Sequence, residues 1–189
     1  MTKKNKEALM LCLNFGALIS VGFILTSYIF FQKGTSIIIN PQLSNVNYML
    51  CISGIFIEIR KLRSDVLPTI SYWQAFLSGL VTISIAAIPF AIYTFFILSS
   101  NTDIIENAIL IMEKGLNESG YSEEQNSLFI EIYKTFASPA FMAFSQFLNK
   151  ILMGAFFSFV LASFLSTKKN LSMSNNSANF DNKDNNKEQ

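Results

Sequence analysis

Residues 8–31 read ALMLCLNFGALISVGFILTSYIFF, and this stretch decides the class of fold. It contains no charged side chain. A helix rises 1.5 Å per residue, so about 20 apolar residues cross the roughly 30 Å of bilayer hydrocarbon. The run is long enough. Lys3, Lys4 and Lys6 precede it, an arrangement that also opens a secretory signal peptide. The apolar part of a signal peptide is usually about 7–15 residues and ends at small side chains. Here it is longer and ends in Tyr28, Ile29, Phe30 and Phe31. The segment is therefore read as a retained signal anchor.

The composition agrees. Of 189 residues, 51% are apolar and 14% are charged, where a soluble domain carries about a quarter charged residues. Nineteen Phe is a membrane-like usage. A net charge of +1 speaks against a nucleic-acid partner, which needs a concentrated basic face. There is no His, so the commonest general base and metal ligand are missing. Cys12 and Cys51 both lie in apolar runs and read as small buried hydrophobes. The acidic residues show no metal spacing, no Gly-rich phosphate loop occurs, and no nucleophile motif is present. No catalytic, metal or cofactor-binding residue is assigned, and the chain is expected not to be an enzyme.

Outward from the first span, a short loop over residues 32–41 contains Gly34, Asn40 and Pro41. A second span is expected over about residues 43–59, although Ser44, Asn45, Asn47 and Ser53 interrupt it. Glu58 stands at its end, followed by Arg60, Lys61 and Arg63. The third span runs over about 73–98. Tyr72 and Trp73 open it at interface depth, and Pro89 lies inside, where a packing kink is expected. Residues 100–138 are too polar for a span and too long for a plain loop. They read as an amphipathic helical hairpin on the far side of the membrane. Ile104, Ile105, Ala108, Ile109, Met112 and Leu116 follow helical spacing in its first helix, with Asn101 or Thr102 as cap and Gly115 or Gly120 as stop. Ser122 and Gln125 form a capping-box pattern for the second, whose apolar face is Leu128, Phe129, Ile132, Tyr133 and Phe136. These faces need cover, from the membrane interface or from the ends of the spans. Pro139 suits the first turn of the last helix, whose span covers about 141–166. Lys168 and Lys169 follow, and the Asn- and Ser-rich tail over 170–189 is expected to be disordered.

The expected fold is thus all-α and polytopic, with four spans. Four spans put Lys3, Lys4 and Lys6, then Arg60, Lys61 and Arg63, then Lys168 and Lys169 on one side. The acid-rich hairpin and Lys33 fall on the other. By the positive-inside rule both termini are expected to be cytoplasmic.

Ionisable residues inside spans are costly and are default functional candidates. Glu58 is one, and its plain reading is a boundary residue paired with Arg60, Lys61 and Arg63. Lys150 is the other, about 24 Å from the inner end of its span, and its plain reading is a lysine snorkelling to the outer surface. Gln146, Lys150, Gly154, Ser158 and Ala162 recur every four residues and so share one side of the helix. The small members suit a helix–helix contact and the polar members a vestibule at its outer end. Asn14, Gly16, Ser20 and Gly22 in the first span, and Ala75, Gly79, Thr82 and Ala86 in the third, offer matching surfaces. Glu58 and Lys150 are placed toward opposite faces of the membrane and are not paired.

The segment Ile57-Glu58-Ile59-Arg60-Lys61-Leu62-Arg63, the opening Ile70-Ser71-Tyr72-Trp73-Gln74-Ala75-Phe76-Leu77-Ser78-Gly79-Leu80, and Gly120-Tyr121-Ser122-Glu123-Glu124-Gln125 occur in this order, ahead of a last span with Gly154, Ser158 and Lys168-Lys169. In this the chain resembles small bacterial membrane proteins, found mostly in Bacteroidota, that carry domain of unknown function 4199. The resemblance covers about residues 5–169. It implies a four-span inner-membrane protein and no particular activity. Lys150 departs from it, since an apolar or small residue is expected there.

Two functions are weighed ahead of a membrane enzyme, and the first is favoured. One is a structural or interaction protein, an accessory subunit that associates with itself or with another membrane protein. It is motivated by the small-residue stripe and the acidic hairpin. The other is a small oligomeric transporter or channel subunit, motivated by Pro89, Lys150 and Gln146.

Overall fold

The computed structural model describes residues 3–34, 37–38 and 40–166. Lys168, Lys169 and the tail, for which disorder is expected, lie outside the described residues. Among the described residues the chain forms six helices and no strand. They are α1 (Lys3–Gln32), α2 (Pro41–Asp65), α3 (Tyr72–Ser100), α4 (Asp103–Glu118), α5 (Glu123–Phe136) and α6 (Pro139–Leu165). Helices α1, α3 and α6 are long and apolar enough to cross a membrane, with mean hydropathy of 2.3, 2.2 and 1.7 in their best stretches. α2 has the length but is more polar. Long apolar side chains cover the outside of the bundle, among them Leu18, Leu152, Phe156 and Phe164. Such a surface belongs in lipid rather than water.

Local signals explain where helices start. Ser71 caps α3 and Ser122 caps α5, each through a reciprocal capping box with Gln74 and Gln125. Ser138 accepts a hydrogen bond from the Phe141 amide, ahead of Pro139 in the first turn of α6. Asn40 does the same for α2, its side chain accepting from the amides of Gln42 and Leu43, with Pro41 in the first turn. α2 consequently begins two residues before the expected span. It also continues six residues past it, because Leu62 extends the buried row of Ile55, Glu58 and Ile59. Thr102 occupies the cap position of α4 without a side-chain hydrogen bond. α4 ends just before Gly120, whose φ of 76° is one that an L side chain rarely adopts. α3 runs unbroken through Pro89, which lies on its exposed face.

Four helices alternate in direction. α1 and α2 are antiparallel, with Thr26 against Asn47 near one end and Cys12 against Glu58 near the other. α1 and α3 are parallel, joined by the Cys12–Ser78 and Phe23–Phe90 contacts. α6 is antiparallel to α3 and shares its most extensive interface with it. One end of the bundle carries Lys3, Lys4, Lys6, Arg60, Lys61 and Arg63 and is called here the basic end. Tyr72, Trp73, Phe76 and Phe159 form an aromatic cluster near it, with ring centroids 5.6–6.5 Å apart.

At the opposite, hairpin end, Ile105 of α4 joins Leu98 of α3 and Met142 of α6 in a small second core. α4 therefore caps the ends of α3 and α6. Tyr133 of α5 reaches the Met142 sulfur at 4.0 Å, and burial pushes its phenol above the ordinary range.

The main core needs its small residues. A Cβ on Gly154 would collide with the Ile83 side chain, and one on Gly79 would stand 2.8 Å from Ile55 Cγ2. In lipid, helices gain little from excluding water and associate through close packing, so such positions set the bundle's geometry. Gly154→Ala is expected to lower stability by about 1–3 kcal/mol through overpacking. Gly22→Ala, whose Cβ would meet Leu50 at an ordinary 3.4 Å, should be nearly neutral. Thermal unfolding of the two variants in one detergent checks this, and equal effects would contradict the packing described.

Candidate functional site

The stripe read from the sequence points inward. Lys150, Gly154, Ser158 and Ala162 are all buried, and Gln146 at the hairpin end is half-buried. Gly154 and Ser158 meet Ile83 and Gly79 of α3. The small residues are thus consumed within one chain, not offered to a second copy. Of the matching surfaces expected on α1 and α3, Gly16, Ser20, Ala75, Gly79, Thr82 and Ala86 are buried, Gly22 is half-buried and Asn14 is exposed.

Lys150 does not snorkel. It is 4% exposed, and its Nζ stands 5.2 Å from the ring centroid of Phe23 and 5.1 Å from that of Phe90. The expectation of surface exposure fails because residue 150 shares the face that Gly154 draws against α3. Phe23, Phe90 and Lys150 lie nine to eleven residues in from the hairpin end of their helices. That is about 14–17 Å at 1.5 Å per residue, close to mid-depth of a hydrocarbon layer of roughly 30 Å.

Two aromatic faces attract an ammonium by about 2 kcal/mol or more when desolvated. Burying the same ammonium costs several kcal/mol. No carboxylate pairs with Lys150, since the ion pair among the described residues joins the exposed Lys114 and Glu118. Ser20, Ser27 and Tyr93 also carry buried oxygens without hydrogen-bond partners in this half of the bundle. The interior here is polar and undersatisfied.

Glu58 also departs from its expected place at the span boundary. It is fully buried, while Arg60, Lys61 and Arg63 are exposed. Arg63 instead donates from Nη1 to the Leu165 carbonyl at 3.5 Å. The Cys12 thiol donates to Glu58 Oε1 at 3.6 Å and contacts the Ser78 carbonyl at 3.8 Å. Oε2 has no partner. Glu58 falls on the helical row of Ile55, Ile59 and Leu62, and reading its face rather than its position at the end of a span would have found it. The Cys12 contact, spanning 46 residues, has no local signal. Beside it, an apolar groove of about 490 Å³ opens between α1 and α3 and reaches Cys12, Leu77 and Ser78.

Glu58 and Lys150 occupy different levels, one with Cys12 toward the basic end and one with Phe23 near mid-depth. They form two separate buried ionisable stations. Among the described residues no cluster of three His, Cys, Asp or Glu could hold a metal.

This all-helical bundle, with apolar side chains outside and ionisable groups inside, has three helices long and apolar enough to cross a membrane, which agrees with a multi-pass membrane protein. The family model described as "Protein of unknown function (DUF4199)" matches residues 12–167, and the chain belongs to that family. No curated protein and no solved structure matches.

Replacing Lys150 by Met keeps the stem and removes the charge. Lys150→Met is therefore expected to fold with stability within about 1.5 kcal/mol of wild type or above it. Lys150→Glu places a carboxylate against two ring faces and should lose about 3–5 kcal/mol. Thermal unfolding in detergent separates the two, and a large loss for Lys150→Met would mean the ammonium makes a contact beyond the two rings.

Proposed function

We propose that this chain is a four-span inner-membrane protein with both termini in the cytoplasm, and that it handles an ion or small polar solute through its buried ionisable core, as a transporter or channel subunit. One observation carries the reading: Lys150 and its two aromatic neighbours sit in the bundle interior with no counter-charge. A bundle with a purely structural role gains nothing from this. Apolar side chains of similar volume generally serve as well as or better than buried ions, whereas intramembrane ionisable groups mark ion and proton pathways.

The fourth span in this reading is α2. Its 25 residues reach about 37 Å, and it packs against α1, α3 and α6. Asn47 and Glu58 are buried, and its exposed face carries Met49, Ile52, Phe56 and Ile57 together with the polar Asn45 and Ser53. With α2 across the membrane, Lys3, Lys4, Lys6, Arg60, Lys61 and Arg63 share the cytoplasmic side. The proposal involves no catalysis.

A second reading, an accessory or interaction subunit, is favoured by the solvated acidic face of α5, where Glu123, Glu124 and Glu131 are exposed. A membrane-protein partner or a second copy could dock there. The small-residue stripe no longer supports it, being used inside the chain.

Two measurements test the proposal. Single cysteines at Asn5 and Ser122, in a background without Cys12 and Cys51, should label from opposite sides of spheroplast membranes with an impermeant maleimide. Labelling from the same side would remove the four-span topology. In proteoliposomes, wild-type protein should dissipate a proton or ion gradient faster than empty vesicles, and Lys150→Met should lose at least tenfold of that rate. An inert wild-type protein that leaves native membranes with a stoichiometric partner would favour the second reading.

A further inference from the structure

α5 is a helix with three faces. Asn126 bonds to Asn117 of α4 at 2.9 Å, and Tyr133 and Ala137 join the core at the hairpin end. Glu124, Glu131 and Lys134 lie on a second, exposed face. On the third, Leu128, Phe129, Ile132 and Phe136 are 56%, 43%, 49% and 51% exposed. These four fall within about a third of the helix circumference at 3.6 residues per turn, and the charged face adjoins them, with Glu124 and Glu131 one turn from Leu128. α4 spends much of its apolar face on the bundle ends, whereas this face of α5 is left about half-exposed by the described residues.

Its position says what covers it. The Phe136 ring stacks in a tilted pair with Phe141 of α6, centroids 5.1 Å apart. Phe141 begins the outward row of Phe144, Leu148 and Leu152 on that helix. The apolar face of α5 is therefore continuous with the surface that α6 turns to lipid. A helix with one apolar and one charged face, joined to a span by a two-residue link, is the pattern that lies in a bilayer surface.

We infer that α5 docks on the membrane itself, with Leu128, Phe129, Ile132 and Phe136 inserted among phospholipid acyl chains on the hairpin side and Glu124, Glu131 and Lys134 turned to water. The hairpin has divided work: α4 closes the bundle and α5 holds the closure against the leaflet. The inference rests on α6 crossing the bilayer and is independent of what Lys150 does.

The test uses the full chain in nanodiscs of phosphatidylethanolamine and phosphatidylglycerol, with or without bromine on the upper acyl-chain carbons. Trp73, at 66% exposure, is the sole native tryptophan and reports whether the bundle itself sits in lipid. With Trp73→Phe in place, a Phe129→Trp reporter should emit in the blue, lose at least half its intensity to brominated lipid and resist aqueous acrylamide. A Glu131→Trp reporter should show the reverse. Leu128→Trp replaces the first reporter if that variant does not fold. Equal acrylamide quenching at 129 and 131 would overturn the inference. So would protection at 129 without brominated-lipid quenching, which is the signature of a protein cover. If Trp73 in the otherwise unmodified chain is quenched by brominated lipid while the 129 reporter is not, the spans stand and only the docking of α5 fails.

Discussion

The close approach of α3 and α6 is the constraint from which the rest follows. Gly154 lets Ile83 into α6, and Gly79 lets Ser158 against α3. Residues four apart on a helix share a side, so fixing Gly154 and Ser158 against α3 also fixes Lys150, one turn further along. It cannot face lipid or reach for the surface while that contact holds. Its ammonium is carried to where Phe23 and Phe90 supply two ring faces. A packing device made of small residues thus places a charge at mid-depth of an apolar bundle.

Glu58 is buried by the same logic on another helix. The row that buries Cys51, Ile55, Ile59 and Leu62 brings Glu58 in with it, and the Cys12 thiol is the donor it finds. A weak sulfur donor, the Ser78 side chain close by and an oxygen without a hydrogen bond are a meagre replacement for water around a carboxyl group. Both stations combine burial with incomplete satisfaction, and the proposed function rests on that combination.

The helices were legible in the sequence because their determinants are local. Apolar runs, the Ser122–Gln125 box and Pro139 each specify structure within a few residues, and the helices begin where these signals stand. Asn40 before Pro41 and Ser71 before Gln74 were equally readable as caps. The stripe through Gly154 and Ser158 was legible as a contact surface, since spacing by four is visible in one helix. Its partner was not, because Ile83 and Gly79 lie some 75 residues away in sequence. The burial of Lys150 and Glu58 was missed for that reason. Lysine and glutamate prefer water, and a plain reading sends them to it. Only knowledge of which face meets another helix reverses that preference.

Whether Lys150 is enclosed as described can be measured directly. Permeabilised native membranes would be treated with a water-soluble N-hydroxysuccinimide ester and each lysine quantified by mass spectrometry. The account predicts rapid acylation of the exposed Lys33, Lys61, Lys114 and Lys134, and at Lys150 a rate at least a hundredfold slower until detergent and heat unfold the bundle. Acylation of Lys150 at the rate of Lys33 would show that it reaches the surface, and would contradict the buried ionisable core on which the functional reading stands.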